Sequence, residues 1–156
     1  MGRDRYAQRP ATRLAEPVEP EVYNETLRRR LSVYGVDGWY QDNVTANQTD
    51  VLLTRLVGAA PDAWIAPRAG RIVSVWVYSS EARSAGTLTI EVFKNGTQFG
   101  TVSVSLNATY TTFDVRYVKR QTLPFAAGDR LDLRITTDGS WAPTTADVRA
   151  GLEVET

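Results

Sequence analysis

Short runs of alternating apolar and polar residues, separated by turn signals, fill the chain from about residue 43 to its end. The clearest run carries Leu88, Ile90 and Val92 on one face and polar residues on the other, which is the period of a strand with one buried side. The pair Asn95-Gly96 follows this run. Because Asn and Gly tolerate the left-handed backbone of a two-residue turn, the segment predicts a β-hairpin.

The same period recurs along the rest of this region. Alternating runs lie near residues 102–106, 113–117, 131–135 and 148–154, and shorter apolar stretches lie near 51–53 and 63–65. Together with the hairpin they amount to about eight strands, spaced roughly 8–12 residues apart. This spacing predicts a mainly β domain over residues 39–156, an antiparallel, jelly-roll-like β-sandwich.

The segment 71–78 differs from the other runs because it is apolar on both faces. One face carries three valines, and the other carries Ile72, Trp76 and Tyr78. Strands that are apolar almost without interruption are usually covered on both sides. The segment therefore predicts a central strand, with Trp76 in the core.

The first 38 residues have a different composition. Residues 1–20 contain three prolines and charges of both signs without any period, which predicts an extended or disordered segment. Pro20 then suits the first turn of a helix, and Gly35 suits its C-terminal stop. We therefore expect a docking arm over 1–38 with one short α-helix at about 20–34.

The predicted helix has an apolar stripe and a cationic cluster. The stripe recurs at helical spacing and consists of Tyr23, Leu27, Leu31 and Tyr34. The cations, which are favoured near a helix C-terminus, are Arg28, Arg29 and Arg30. A short helix needs a partner for its apolar side, which is its own sandwich, copies of itself or a larger assembly. We expect these residues to be anchors, and Trp39 and Tyr40 to fix the arm to the domain.

The composition removes most catalytic chemistry. The chain has no histidine and no cysteine, which excludes histidine bases, Ser-His-Asp and Cys-His sites and zinc held by those residues. Carboxylates remain, but the spacing of Asp129, Asp132 and Asp138 matches no EF-hand loop. Glu153 and Glu155 have the alternation of a solvated strand face. We expect no enzymatic activity, no cofactor and no metal site.

Charge and hydropathy exclude two further classes of partner. The chain balances 18 basic against 18 acidic residues, so it has no net field that would attract nucleic acid or anionic lipid. No run approaches the roughly 20 apolar residues of a membrane helix. No apolar segment follows Met1 as it does in a secretory signal. We expect a protein that is made in a cytoplasm and neither enters a membrane nor binds nucleic acid.

Two parts of the chain resemble bacteriophage virion proteins. The opening RPATRLAEPVEPEVYNETLRRRLSVYG resembles the N-terminal docking segments of small tail appendages and fibres. The stretches APRAGRIVSVWVYSSEARSAGTLTIEVFKNGTQFG and LPFAAGDRLDLRITTDGSWAP resemble jelly-roll domains of phage fibres, head fibres and decoration proteins. There, an apolar strand precedes a Lys-Asn-Gly hairpin, and a later strand begins with Ala-Gly-Asp-Arg-Leu. Together these stretches cover most of the chain.

This resemblance implies a non-enzymatic structural component of a virion. The implied protein is a capsid decoration or head-fibre protein or a small tail appendage, assembled into the virion in the host cytoplasm. Its arm would bind capsid or tail subunits, with the arginine cluster pairing with acidic groups there. Its sandwich would face outward, and the protein would form a homotrimer.

Loop aromatics support an alternative, a carbohydrate-binding module that recognises host surface glycans. Exposed Trp and Tyr rings stack on sugars, and Trp141 follows the turn signal Asp138-Gly139 in a predicted loop. Trp141 is the first candidate contact and Tyr110 the second. A third hypothesis is a glycan hydrolase, which would need two carboxylates about 5–9 Å apart in a cleft. No motif indicates such a pair.

Overall fold

The protein's structure, a computed structural model, describes residues 33–57, 63–118 and 123–156. The regular elements of this part of the chain are all strands. They are β1 (Val33–Gln41), β2 (Val51–Leu52), β3 (Thr54–Arg55), β4 (Trp64–Ile65), β5 (Gly70–Ser79), β6 (Leu88–Lys94), β7 (Thr97–Leu106), β8 (Phe113–Tyr117), β9 (Pro124–Phe125), β10 (Arg130–Thr137) and β11 (Val148–Glu155). Among these residues there is no helix of the length and apolarity needed to cross a membrane.

The strands form two antiparallel sheets that pack as a β-sandwich. Sheet A has six strands in the order β3-β1-β11-β5-β8, and β9 also pairs with β5. Sheet B has five strands in the order β2-β10-β6-β7, and β4 also pairs with β10. The prediction of a mainly β, antiparallel sandwich is therefore confirmed.

The core lies between the two sheets, where the alternating apolar residues meet. Leu88, Ile90 and Val92 of β6 are completely buried, as their period predicts. They belong to one cluster with residues of sheet A such as Val75 and Val77. Burying a side chain of this size contributes about 1.5–3 kcal/mol relative to leaving it exposed, so the alternation of β6 selects which of its sides faces inward.

The predicted hairpin joins β6 to β7. Asn95 has a φ of 53° and Gly96 a φ of 84°, so both central residues have the left-handed backbone of a type I′ turn. The two strands pair in register on either side, with Lys94 opposite Thr97. The hairpin prediction is confirmed.

The boundary between arm and domain differs from the prediction. β1 begins at Val33, where Tyr34 pairs with Val154 and Gly35 with Glu153. Tyr34 is therefore in a strand and not at the end of a helix, because this segment pairs with the side of β11 that β5 leaves open. The other predicted anchors of the helix lie outside the described residues, so their helical structure stays a prediction. The sheet includes residues 33–38, which we had assigned to the arm.

The central strand β5 is correctly predicted, but its two faces are not. It lies between β11 and β8 in sheet A. Its inner face carries Val75 and Val77, and Ile72 joins them at 0% exposure because the register shifts near this position. Trp76 is only half-buried and Tyr78 is 46% exposed. Within the described residues this outer face has no covering layer, and Trp76 is not in the core.

Candidate interaction surfaces

The outer surface of sheet A is lined by aromatic and aliphatic side chains. Antiparallel pairing places Tyr78 opposite Phe113 and Trp76 opposite Val115, and Tyr117 follows on the same side of β8. The exposed fraction is 76% for Tyr117, 49% for Phe113 and 46% for Tyr78. We call these five residues the aromatic face. Strand pairing alone brings them together from two distant parts of the chain.

A buried carboxylate sets the orientation of β8. Asp114 is 4% exposed and points into the molecule between the two sheets. Its Oδ2 accepts a hydrogen bond from the backbone N–H of Ser105 on β7 at 3.0 Å. The same oxygen lies 3.5 Å from Nε of Arg116. Since neighbouring residues of a strand point to opposite sides, fixing Asp114 inward turns Phe113 outward.

Glycine allows the ring of Trp76 to lie across its neighbouring strand. A Cβ on Gly151 of β11 would be 2.5 Å from Cε2 and Cζ2 of the indole, and one on Gly38 of β1 would be 3.7 Å from Cη2. The indole therefore extends over β11 towards β1 and occupies the space that a side chain at residue 151 would need. This contact makes the middle of the aromatic face flat and apolar.

Two opposite charges flank this apolar centre on β11. Arg149 lies opposite Tyr78, and Glu153 lies opposite Ser74, with Gly151 between them. Ser74 Oγ donates a hydrogen bond to Glu153 Oε2 at 2.7 Å. Arg149 is exposed and, within the described part of the chain, has no ion-pair partner. The outer side of β11 thus carries a positive end, a neutral middle and a negative end.

A groove lies at the edge of the sandwich, where β7 and β8 end their sheets. It has a volume of about 370 Å³ and is lined by Val102, Ser103, Ser105, Arg116 and Tyr117. The guanidinium of Arg116 is 5.8 Å from the centre of the Tyr110 ring. The groove therefore offers hydroxyl groups, one cation and tyrosine rings at its margin. We call it the edge groove.

The outer surface of sheet B is polar along β6, β7 and β10, while Ile65 of β4 is exposed at its margin. Register places Glu91 between Arg134 and Ser103, and Thr89 between Thr136 and Ser105. We call these six residues the polar face. Apolar surface next to it is covered by a charged side chain, since the guanidinium of Arg134 lies 4.0 Å from the centre of the Phe93 ring. Nε of Arg134 is also 2.9 Å from Oδ1 of Asp132.

An acidic pair perturbs one carboxyl group of the polar face. Partial burial, followed by the negative charge of Asp50 and a hydrogen bond to it, raises the pKa of Glu91 above its ordinary value. Gln98 Nε2 donates to Glu91 Oε1 at 2.7 Å, which opposes this shift. The raised pKa means that this part of the surface disfavours the charged form of Glu91, first through burial and then through Asp50.

The three aspartates considered for calcium have separate structural roles. Asp129 accepts hydrogen bonds from the Ala126 N–H and from Asn95 Nδ2, both at 2.8 Å, and these bonds lower its pKa. Asp132 pairs with an arginine, and Asp138 Oδ1 accepts from the Ser140 N–H at 2.9 Å. Among the described residues, no group of three or more acidic side chains is arranged to hold a metal ion.

The two glutamates of β11 are paired separately as well. Glu155 forms an ion pair with Arg71 on β5, and Glu153 accepts the hydrogen bond from Ser74. Each carboxylate therefore stabilises the contact between β11 and β5.

The structure places the predicted site residues in different environments. Trp39 is completely buried in the core, where it stabilises the sandwich, and Tyr40 is half-buried on the outer side of sheet A opposite Arg149. Tyr110 is 39% exposed at the edge groove. The arm anchors Tyr23, Leu27, Arg28, Arg29, Arg30 and Leu31 lie outside the described residues.

Trp141 is not the exposed loop residue that the sequence predicted. It is 2% exposed, and its indole Nε1–H donates to the carbonyl oxygen of Val44 at 3.1 Å. The loop folds so that the large ring fills the end of the core while its one donor is satisfied. A glycan contact through Trp141 is therefore excluded in this fold.

The sequence reasoning also missed the aromatic face. Phe113, Val115 and Tyr117 alternate regularly, but alternation alone does not identify the side that faces the core. One residue of the sequence could have indicated which side of this strand faces the core, and that residue is Asp114, a single carboxylate in an edge strand.

The chain matches no protein-family model and no curated protein.

Proposed function

We propose that this chain is a non-enzymatic structural component of a bacteriophage virion, either a capsid decoration or head-fibre protein or a small tail appendage. Its arm binds a capsid or tail subunit through Tyr23, Leu27 and Leu31, while the arginine cluster pairs with acidic groups. The sandwich is displayed outward. The resemblance of the arm and of the hairpin region to virion proteins is the first support for this proposal.

We further propose that the sandwich is a jelly roll, and the strand pairing supports this. β2 and β4 both pair with β10, and β8 and β9 both pair with β5. If each of these two pairs is treated as one interrupted strand, and β3 is set aside, the sandwich has the eight strands of a jelly roll. Along the chain, the first strand then pairs with the last, the second with the seventh, the third with the sixth and the fourth with the fifth. This is the order of a long hairpin that has been rolled into two sheets. Only β3, outside β1, is additional.

The main observation behind the proposal is that the outer surfaces of the two sheets differ in polarity. A polar face suits contact with water, whereas an exposed aromatic face of this kind marks an interaction site. A sandwich with one polar and one aromatic surface is suited to a fixed orientation within an assembly, because one surface contacts water and the other contacts a partner. This is a structural role and requires no reaction.

The proposal is tested by the composition of particles. Phage particles whose genome encodes this sequence are purified on a density gradient and analysed by mass spectrometry. We expect the chain in the particle fraction at a fixed ratio to the major capsid protein. Its recovery only in the soluble lysate, while particles are complete without it, would contradict the proposal.

The anchoring role of the arm is tested on particles from which the chain has been genetically removed. Full-length protein should bind them again, and residues 33–156 should not, since β1 begins at Val33. A triple substitution of Arg28, Arg29 and Arg30 by Gln should weaken binding and its dependence on salt. Equal binding by 33–156 would remove the arm from the proposal.

The edge groove supports a second candidate function, glycan recognition. Tyr117 and Tyr110 offer rings for stacking, and Ser103, Ser105 and Arg116 offer groups that hydrogen-bond sugar hydroxyls. Binding to an array of host surface glycans should disappear in Tyr110→Ala and Arg116→Ala and persist in Arg130→Ala, a matched change on sheet B. An array without any signal would remove this candidate.

A further inference from the structure

The aromatic face exposes a contiguous apolar patch on one side of the sandwich, of the size that often marks an interaction site. From their exposed fractions, Tyr78, Phe113 and Tyr117 together leave roughly 350 Å² open to solvent if each complete side chain has about 200 Å². Trp76 and Val115 add to this. A stable interface buries about 800 Å² on each partner. The aromatic face therefore supplies about half of the area that a stable interface needs, in its apolar centre.

The charges of β11 indicate what kind of partner covers this face. Arg149, Gly151 and Glu153 follow each other on the outer side of one strand, as a positive, a neutral and a negative position. A two-fold axis that lies between the two faces, above Gly151 and perpendicular to the strands, reverses this order in the second copy. Arg149 of each copy would then meet Glu153 of the other, and the two Trp76 rings would meet near the axis.

We propose that two copies of this chain pair through their aromatic faces, around a two-fold axis above Gly151. The interface is isologous, so one patch serves both subunits. Its apolar centre is the aromatic face, and its rim contains two intermolecular pairs between Arg149 and Glu153. The pairing gives Arg149 the ion-pair partner that it lacks within the described chain.

This arrangement differs from the trimer that the resemblance to virion proteins implies. A three-fold axis parallel to the strands of sheet A would bring Arg149 of every copy to the same height, where like charges repel each other. Only the reversed orientation joins opposite charges. The inference concerns the sandwich surface, so it holds or fails independently of the proposed virion location.

The first experiment measures the mass of the full-length chain by light scattering after size exclusion. We expect twice the 17.3 kDa of one chain. Phe113→Ser combined with Tyr117→Ser should weaken pairing by about thirty-fold or more, because aromatic residues at interface centres are frequent hot spots. Both residues are exposed in the single chain, so the circular dichroism spectrum should not change. Monomers or trimers of the unmodified chain would overturn the proposal.

A charge exchange tests the orientation of the two copies. Arg149→Glu should weaken pairing by about ten-fold, since it places a negative charge opposite Glu153 in each of the two intermolecular pairs. Adding Glu153→Arg in the same chain should restore most of that loss. The matched control is Arg130→Glu on sheet B, which should leave the dimer unchanged. A dimer that Arg149→Glu does not weaken, or that the exchange does not restore, would overturn the two-fold arrangement.

Discussion

The aromatic face and the polar face are outer surfaces of the same sandwich, built from strands of the same period, yet they have opposite chemistry. On sheet B, the outward positions of β6 and β10 carry Glu91, Arg134 and threonines, and the one large ring there lies under a guanidinium. On sheet A, the outward positions of β5 and β8 carry Trp76, Tyr78 and Phe113 without such a cover.

This difference shows that a strand with alternating apolar and polar residues does not always turn its apolar side chains to the core and its polar side chains to solvent. The apolar side chains of β6 face the core. Those of β8 face solvent, because the side chain of Asp114 on the same strand points into the molecule. A surface of this kind costs solubility unless a partner covers it.

Removing the Asp114 carboxylate should have the largest effect, because it joins the edge strands of the two sheets. Asp114→Ala leaves the Ser105 N–H and the Arg116 guanidinium without this partner, and we expect a loss of about 2–3 kcal/mol in the free energy of unfolding. Urea denaturation measures the loss.

The matched control for this change is Asp114→Asn, which keeps an acceptor oxygen but removes the charge. It should cost about 1 kcal/mol. If Asp114→Ala were as stable as the unmodified chain, the carboxylate would not determine which way β8 faces.

Adding a methyl group at Gly151 should disturb the aromatic face and leave the polar face intact. A Cβ there would be 2.5 Å from the Trp76 ring, so Gly151→Ala should cost about 2 kcal/mol, as overpacking does. The tryptophan fluorescence, to which Trp76 contributes together with the three other tryptophans, should shift as the Trp76 ring is displaced.

A double-mutant cycle identifies the cause of this loss. In a Trp76→Ala background the space above residue 151 is open, so Gly151→Ala should cost little. Additive losses would mean that the glycine is needed for a reason other than the indole.

Removing the side chain of Asn95 tests the turn beside the polar face. Asn95 Nδ2 donates to Asp129 Oδ1 at 2.8 Å, and its Oδ1 accepts from the Arg130 N–H at 2.9 Å. Asn95→Ala should cost about 1–1.5 kcal/mol through these bonds and the strain of a left-handed alanine. Asn95→Gly removes the strain and should recover part of the loss, which thermal unfolding would measure. Equal losses would assign the whole effect to the hydrogen bonds.

The smallest effect is expected from the acidic pair of the polar face. Because the folded state raises the pKa of Glu91, its contribution to stability is present at low pH and is lost as pH rises through the folded pKa. Glu91→Gln should therefore stabilise the protein at neutral pH, by about 0.5 kcal/mol for a relieved like-charge contact. Below the ordinary pKa of Glu the two proteins should be equally stable.

Asp129 provides a control of opposite sign. Its pKa is lowered, first by the hydrogen bond from Ala126 and then by Asn95, so its contribution is present above the ordinary pKa of Asp and is lost as pH falls through the folded pKa. Asp129→Asn should weaken the dependence of stability on pH at the acidic end. Identical pH profiles for both variants and the unmodified chain would contradict both assignments.

Much of the fold could be predicted from the chain because local signals agree with the final structure. The period of β6, the Asn95-Gly96 turn and the strong apolar run of β5 each specify an element by short-range sterics and burial. The start of β1 was missed because residues 33 and 34 continue a helical spacing, and only the open side of β11 makes them a strand.

Little of the candidate surface could be predicted in the same way. Trp141 has the sequence context of an exposed loop, but the fold closes over it and Val44 accepts its hydrogen bond. The aromatic face joins residues from β5 and β8, whose pairing depends on the order of strands in sheet A. No local sequence pattern specifies the order of the strands in the sheet.

The amino-acid sequence alone predicts antiparallel strands and a hairpin turn at Asn95-Gly96, and it excludes histidine and cysteine chemistry. Those features depend on residue type and short-range period, which are properties of the chain. Tertiary contacts determine which side of β8 faces water, where Trp141 and Trp76 lie, and how Arg149 and Glu153 flank Gly151. These orientations and positions depend on contacts between distant segments of the chain. The local pattern is compatible with more than one arrangement, and the burial of one carboxylate or one ring selects among them.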